Sequence, residues 1–403
     1  MKRFFTTIFA VLLLITVLPF SAFGEVQTEE GYDYTRFQGE NITLNVYNWG
    51  LYISDGTDDS MNVIQEFEDL TGIQVVYNTY DTNENLYAKL KTGGANYDVI
   101  IPSDYMIGKM IKEDMLEPLD FANIPNYSMI GSAYKNMPYD PQNAYSVPYT
   151  WGVVGIIYNT TMVDTTVDSW DIMWDEAYKG QILMFNNSRD AFAIAAKKAG
   201  LSMNPTTVED VKAMAELLKK QKPLVQSYVM DEIFDKMEGG EAAIAPYYAG
   251  DAITMIGENP DLAFAIPKEG TNYFVDAMCI PKGCKNKEAA EMFINFMCET
   301  EVALANNEFI GYSTPQTEAA KLLPEELQNS PIAYPSAEVL ANTETMVVLS
   351  DEINAAMDKE WSNIRSFDEG KNLYFLPLIL LVAVCVIALC VWRKKVKKER
   401  NNY

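Results

Sequence analysis

The feature that most constrains the fold is a regular alternation of strand and helix patterns early in the chain. Strand patterns cover residues 42–47, 73–80 and 97–101, and amphipathic helix patterns cover residues 60–70 and 84–91. Alternation at this short spacing predicts a largely parallel sheet covered by helices. Ligands of such sheets bind beyond the carboxyl ends of the strands. We therefore expect a site near the residues that end strands, among them Trp49, Tyr80 and Ser103.

The same alternation resumes after Trp151-Gly152 and continues for most of the remaining chain. Further strand patterns lie at residues 155–159, 180–185, 242–248, 263–267 and 276–281, and helix patterns at residues 191–199, 208–220 and 288–298. The chain has 403 residues, and a body of this size is large for a single hydrophobic core. The sequence therefore predicts an α/β protein with two lobes.

Both ends of the chain have targeting or membrane patterns. Residues 1–24 predict a secretory signal peptide, because a basic start precedes a short apolar run and small residues. Residues 373–392 contain no charged residue and could span a bilayer as a helix. The basic residues 393–403 predict a cytoplasmic tail by the positive-inside rule. We therefore expect a single-pass protein of the cell membrane with an extracellular or periplasmic binding domain.

The charge balance argues against a nucleic-acid partner and is compatible with a cationic ligand. The net charge is −25, from 56 acidic and 31 basic residues. Because the two ends hold eight of the basic residues and one acidic residue, the body between them carries about −32. Binders of nucleic acid are basic, so we expect no nucleic-acid partner. An acidic body attracts cations, although acidity also serves solubility.

The cysteine and histidine contents exclude several kinds of catalytic and metal site. The chain has no histidine, which rules out a Ser-His-Asp or Cys-His nucleophile and a histidine-ligated zinc ion. Cys279, Cys284 and Cys298 form an odd set within the body, which is not the pattern of a disulfide framework. A Cys279–Cys284 bridge is one alternative, and buried free thiols are the one that we favour. No cofactor and no metal ion are expected.

Aromatic and acidic residues recur near the predicted strand ends. The stretch LNVYNWGLYIS places Trp49 and Tyr52 around a glycine, and Tyr247-Tyr248 precedes Asp251. Aromatic faces attract ammonium groups, and ionised carboxylates accept strong hydrogen bonds from them. Tyr247 also fits a strand core, while Asp251 and Asp104 also fit helix caps or turns. Asp276 lies in an apolar run, where a carboxylate needs a partner. The combination indicates a site for an alkyl amine.

Six stretches of the sequence follow one another in a characteristic order. They are VYNWGLYI, LYAKLKTGGANYDVIIPSDYMIGKM, YSVPYTWGVVGIIYN, SWDIMWDEAYKG, PKEGTNYFVDAMCIPKGCKNKEAAEMFINFM and IGYSTPQ. Taken together, they make the chain resemble the spermidine/putrescine-binding proteins of polyamine ABC importers. The resemblance implies a two-lobe periplasmic-binding-protein-like fold (type II) with crossing strands as a hinge. It implies lobe 1 at residues 41–151 and 275–320, and lobe 2 at residues 152–274 and 321–367. This is a family of binding proteins and not of enzymes.

The resemblance also implies roles for individual residues. Trp49 and Tyr52 match the first aromatic pair of the family, and Ser103 and Tyr105 match contacts of its second loop. Asp276 matches the carboxylate that grips an amine, Tyr312 matches the ring of a G-Y-x-T-P motif, and Ser227 loosely matches a hydroxyl of the second lobe. The complete ligand-binding set that we predict is Trp49, Tyr52, Ser103, Tyr105, Asn187, Asp190, Ser227, Tyr248, Asp251, Phe274, Asp276 and Tyr312.

Several positions depart from the family pattern. Asn187 stands where spermidine binders tend to have an acid, although Asp190 retains one three residues on. Tyr248 and Phe274 stand where tryptophan is frequent, and Met346 replaces a glutamine. Because a neutral Asn187 suits a third ammonium group poorly, we expect putrescine to bind at least as well as spermidine.

The expected function is an extracellular receptor that captures putrescine or spermidine between two lobes. The receptor would deliver the polyamine to ABC permease subunits driven by cytoplasmic ATPases, as the resemblance implies. One alternative is a ferric-ion receptor of the same superfamily, since Tyr247-Tyr248 resembles its paired phenolates and iron favours hard oxygen ligands. The other alternative is an amine sensor that does not take part in transport.

Overall fold

The computed structural model describes residues 26–93 and 96–366. The predicted signal peptide, transmembrane helix and basic tail lie outside these residues. Within them the strands are β1 Thr43–Trp49, β2 Gln74–Tyr80, β3 Val99–Ile100, β4 Ser146–Asn159, β5 Ile182–Phe185, β6 Val225–Val229, β7 Ile244–Tyr248, β8 Leu262–Ala265, β9 Thr271–Cys279 and β10 Thr343–Glu344.

The helices fill the connections between these strands and form the C-terminal part of the described chain. They are α1 Val63–Thr71, α2 Asn83–Lys91, α3 Asp104–Lys112, α4 Ser188–Lys198, α5 Val208–Gln221, α6 Ile233–Glu238, α7 Ala249–Glu258, α8 Lys287–Met297, α9 Thr300–Ile310, α10 Thr317–Leu322, α11 Glu325–Gln328, α12 Ala337–Leu340 and α13 Asp351–Ser366. Short 3₁₀ turns lie at Thr57–Asp59, Pro125–Met129, Ser132–Tyr134, Trp170–Trp174, Glu176–Tyr178 and Lys222–Leu224.

The strands join into one sheet in the order β2-β1-β3-β9-β4-β7-β5-β6, with β8 beside β4 and β10 beside β9. We call β2, β1 and β3 the first sheet segment, and β7, β5 and β6 the second. Within each segment the paired strands are parallel, as the alternating pattern predicts. Two antiparallel strands, β4 and β9, connect the segments. The architecture is therefore mixed α/β with a crossing pair at its centre.

The first helix shows how local chemistry sets the element boundaries. The pattern predicted a start at residue 60, whereas α1 begins at Val63 because the Asn62 side chain accepts a hydrogen bond from the Gln65 amide. The helix ends at Thr71 and is capped by Gly72, whose φ of 74° lies in the left-handed region that glycine favours. Its buried Phe67 packs edge-on against Phe293, with ring centroids 5.0 Å apart.

The crossing strand β4 is much longer than the strand predicted at residues 155–159. It begins at Ser146, and nearly all of its residues are buried. Its first part pairs with β9, and its last part pairs with β7 and β8. The register shifts between Pro148 and Thr150, which is where a proline without an N–H group can be tolerated in a strand.

The three cysteines in the described part of the body are free thiols. Cys279 and Cys298 are buried, and the Cys284 thiol donates to Asp98 Oδ1 at 3.2 Å. The described residues therefore contain no Cys279–Cys284 disulfide, and the three thiols are free as predicted, although Cys284 is only half-buried.

Candidate functional site

A cavity lies where the carboxyl ends of strands from both sheet segments meet. It encloses about 600 Å³ not occupied by protein atoms, counting its opening to solvent. Its lining residues are Trp49, Gly50, Tyr52, Asn83, Ser103, Asp104, Tyr105, Asp190, Met230, Asp231, Tyr247, Tyr248, Asp251, Asn272, Phe274, Asp276, Tyr312 and Met346. This is the position that the parallel-sheet prediction indicated.

The WGLY stretch, residues 49–52, forms part of the cavity wall at the first sheet segment. Trp49 is the last residue of β1 and pairs with Tyr80, the last residue of β2. Their rings lie 4.7 Å apart, and Trp49 Nε1 has no hydrogen-bond partner among the described residues. The chain then turns at Gly50 and Leu51, and the buried Tyr52 packs edge-on against Tyr312 at 4.8 Å. The end of β1 and the turn after it therefore supply two aromatic side chains, Trp49 and Tyr52, to the wall of the cavity.

The central strand β9 contributes three alternate residues to the cavity. Successive side chains of a strand point to opposite faces, so Asn272, Phe274 and Asp276 share one face. Asp276 is 5% exposed. Its Oδ2 accepts a hydrogen bond from the Tyr52 hydroxyl at 2.8 Å, and its Oδ1 has no partner within the described residues. Asp276 therefore presents an unsatisfied carboxylate oxygen inside a largely aromatic cavity.

Three further carboxylates come from the first turns of helices that follow strands. Asp104 begins α3, Asp190 lies in the first turn of α4, and Asp251 lies in the first turn of α7. The Tyr248 hydroxyl donates to Asp190 Oδ2 at 2.9 Å. Asp104 Oδ2 is buried and has no hydrogen-bond partner in the part of the chain that is described. These three aspartates are therefore more than residues at helix starts, because all three also line the cavity.

Burial raises the pKa values of these acids. Desolvation raises the pKa of Asp276 to about 6, against the opposing effect of the nearby Ser103 and Tyr52 hydroxyls. Desolvation raises the pKa of Asp251 to about 8, with further repulsion from Asp231 and Asp276. The pKa of Asp190 is also raised, again mainly by burial. A ligand that carries positive charge would relieve this penalty.

The charge of the lining is one-sided. It contains five aspartates and neither lysine nor arginine, among the residues that the structure describes. Arg189 is not part of the lining but contacts it, because its guanidinium carbon lies 4.9 Å from the ring centroid of Tyr105. Five acids among seven aromatic rings form an environment for an aliphatic ligand with several ammonium groups.

Most of the residues predicted from the sequence come together in this cavity. Those that line it are Trp49, Tyr52, Ser103, Tyr105, Asp190, Tyr248, Asp251, Phe274, Asp276 and Tyr312. Ser103 pairs with Asp276 through a backbone bridge, and its amide donates to the Asn83 side chain at 3.1 Å.

Two predicted residues do not line the cavity. Asn187 caps α4: its side chain accepts from the Asp190 amide and donates to the Asp190 carboxylate. It orients an acid of the cavity and is not itself in the lining. Ser227 lies within β6, where it pairs with Leu183, and its hydroxyl has no partner among the described residues. The structure therefore separates Ser227 from the other predicted residues.

Local sequence patterns do not predict every lining residue. They do not single out Gly50, Asn83, Met230, Asp231 or Asn272, and they fit Asp104 to a turn or a helix cap. Asn272 could have been found, because it precedes Phe274 and Asp276 at the two-residue period of a strand. Asp231 could not, because its place depends on contact with the distant Gly50.

The fold and the site together define a class of protein. Residues 62–335 match the family model of bacterial extracellular solute-binding proteins, and the chain belongs to this family. Its mixed α/β architecture is of the periplasmic-binding-protein-like type. The family consists of substrate-binding transport proteins and not of enzymes, as the resemblance implied in general terms.

Individual relatives are similar to the chain over most of its length. The spermidine/putrescine-binding periplasmic protein of Escherichia coli (strain K12) is 38% identical over 308 residues, which cover 76% of this chain and 86% of the relative. The putrescine-binding periplasmic protein SpuD of Pseudomonas aeruginosa is 29% identical over 385 residues, covering 91% and 99%. The crystal structure of the spermidine/putrescine ABC transporter substrate-binding protein PotD from Streptococcus pneumoniae has 37% identity and a TM-score of 0.68, covering 81% of this chain and 99% of that one.

These comparisons correct the expected localisation. The relatives from Escherichia coli and Pseudomonas aeruginosa are described as periplasmic proteins. The expectation of a single-pass membrane protein with a cytoplasmic C-terminus conflicts with this description and is wrong. Among residues 26–93 and 96–366, no helix has the length and apolar character needed to cross a bilayer.

Proposed function

We propose that the protein is a substrate-binding receptor of an ABC importer and that it captures a polyamine, putrescine or spermidine, in this cavity. One observation carries the proposal: five aspartates and seven aromatic rings line the cavity without a basic residue, among the described residues. Relatives with 38% and 29% identity are polyamine-binding proteins by description. The cavity has the chemistry that such a ligand requires.

The proposed roles follow from the contacts of each side chain. Asp276 binds one ammonium group through its unpaired Oδ1, while Tyr52 holds the other carboxylate oxygen in place. Asp190, which Tyr248 holds in the same manner, binds a second ammonium group with Asp251 nearby. The rings of Trp49 and of the other lining aromatics contact the methylene chain and the cation faces. Asn187 acts indirectly, by orienting Asp190.

The proposed lobes have the boundaries expected from the sequence, with β4 and β9 as the hinge between them. Contacts cross from one lobe to the other beside the cavity, where Arg189 of α4 covers the ring of Tyr105 of α3. A polyamine that binds Asp276 and Asp190 together also joins α4 to the strand face of β9. Because these contacts form together only when the lobes are close, the ligand shifts the population toward closure. The closed receptor then docks on the permease subunits, which cytoplasmic ATPases drive.

The ferric-ion alternative is not favoured. The phenol of Tyr248 donates to Asp190 at 2.9 Å, so that it orients a carboxylate. The ring centroids of Tyr247 and Tyr248 lie 5.1 Å apart, and both rings pack against Phe185. The relatives compared above are described as binding polyamines, and none of them as binding iron.

Uptake of labelled polyamines by cells tests the transport role. Deletion of the gene should abolish high-affinity uptake of labelled spermidine or putrescine, and the wild-type gene should restore it. An Asp276→Asn gene should restore uptake poorly, although the protein accumulates normally. If the deletion strain takes up both polyamines like the parent strain, the transport role fails, and an amine sensor becomes the better explanation.

A further inference from the structure

A carboxylate of the second sheet segment lies directly against a glycine of the first. Gly50 follows β1, and Asp231 follows β6 by two residues. A Cβ atom at position 50 would lie 2.1 Å from Asp231 Oδ2 and 3.2 Å from its Cγ. Any residue with a side chain would therefore push the carboxylate away. The glycine of the WGLY stretch is what allows an acid from the other side of the cavity to reach this point.

Asp231 differs from the other cavity acids in depth. Asp104, Asp190 and Asp276 are buried, whereas Asp231 is exposed and still lines the cavity. No hydrogen bond or ion pair engages its side chain among the described residues. Partial burial of its carboxylate raises the pKa of Asp231, and the neighbouring acids Asp81 and Glu232 raise it further. Asp231 is therefore an uncompensated negative charge at the outer end of an acidic cavity.

We propose that Asp231, admitted by Gly50, holds the outermost ammonium group of a triamine and thereby favours spermidine over a diamine. This inference rests on the proposed polyamine-binding function. A diamine has only two charges, which Asp276 and Asp190 bind in the proposed mode. A triamine carries one more ammonium group, and an unpaired charge in a cavity is costly. The carboxylate of Asp231 supplies the partner that the neutral Asn187 does not.

With Asp231 in this role, spermidine is expected to bind more tightly than putrescine. The sequence predicted that putrescine binds at least as well as spermidine, because Asn187 replaces an acid. The structure places Asn187 as a helix cap beside Asp190, outside the lining, and places Asp231 within the lining. Preference for the triamine is therefore a property of Asp231 and not of position 187.

Calorimetric titration of the full-length protein with spermidine and with putrescine tests the inference. Asp231→Asn should weaken spermidine binding about threefold or more, as expected for loss of a partly exposed charge pair. Its putrescine affinity should stay equal to that of the wild type. Gly50→Ala, whose methyl group displaces the same carboxylate, should have the same selective effect. Asp235→Asn, which removes an exposed charge four residues on, is the matched control and should change neither affinity.

A double substitution makes the test sharper. If Gly50 acts by admitting Asp231, the effects of Gly50→Ala and Asp231→Asn on spermidine binding should not add. Equal losses for both ligands in Asp231→Asn, or no loss for either, would overturn the inference and leave the polyamine function intact. Absence of binding of both ligands to the wild-type protein would instead overturn the proposed function itself.

Discussion

Replacement of Asp276 by asparagine should separate binding from stability. Asp276 is almost fully buried, one of its carboxylate oxygens lacks a partner among the described residues, and its pKa is raised to about 6 by burial. Its ordinary value is near 3.8. The folded state therefore holds the proton more tightly than the unfolded state, so the free energy of unfolding decreases as the pH rises through this interval.

Asp276→Asn should change the stability of the free protein and its affinity for a polyamine in opposite directions. At pH 7 the ionised Asp276 destabilises the free protein by about 3 kcal/mol, because its pKa is about 6 in place of 3.8 and each tenfold difference in proton affinity corresponds to about 1.36 kcal/mol. Asparagine has nearly the same shape and no charge, so it removes this cost. The loss of a charge-assisted hydrogen bond to an ammonium group should weaken binding by roughly 1.5–3 kcal/mol, which is about tenfold to a hundredfold.

Two measurements on the same protein check this prediction. Calorimetry should show the loss of polyamine affinity in Asp276→Asn, and thermal unfolding of the free variant at pH 7 should occur at the same or a higher temperature. Asp164→Asn, which removes an exposed charge, is the control and should leave both properties unchanged. An unchanged affinity in a folded Asp276→Asn variant would refute the assignment of Asp276 as an ammonium partner.

Three further outcomes are expected. The pKa of Asp251 is about 8 in the free protein, and a bound ammonium group lowers it, so binding at pH 7 should release protons. Calorimetry in two buffers with different ionisation enthalpies should then give different heats, and identical heats would exclude this ionisation. Gly250→Ala places a methyl group 2.1 Å from the Tyr312 ring and should weaken binding, whereas Gly257→Ala on the same helix has open space and should not. Trp49→Leu should cost about 0.5–2 kcal/mol of binding free energy, and an unchanged dissociation constant would place the indole away from the ligand.

The residues that could be predicted are those whose role depends on short-range pattern. Trp49 ends and Ser103 follows a strand that an apolar run marks clearly, and the carboxyl ends of parallel strands meet at one edge. Asp276 stands out because a carboxylate in an apolar run needs a partner. The mixed α/β fold could also be predicted from short-range pattern, because strand and helix periods alternate along the chain.

The residues that could not be predicted depend on exact boundaries or on distant contacts. Asn187 and Asp190 are three residues apart, and only the start of α4 decides that the first caps the helix while the second reaches the cavity. The full length of β4 was missed because Pro148 and Gly152 interrupt a strand pattern that the bulge and the pairing with β9 sustain. Asp231 enters the lining only through its approach to Gly50, which no local pattern encodes.

Direct titration of the purified wild-type protein with polyamines tests the central claim most directly. Spermidine and putrescine should each saturate a single site, because the five lining aspartates need a ligand with more than one positive charge. Butylamine, which has the same four-carbon chain as putrescine and one charge, should bind far more weakly. Binding of butylamine as tight as that of putrescine, or no saturable binding of either polyamine, would contradict the account.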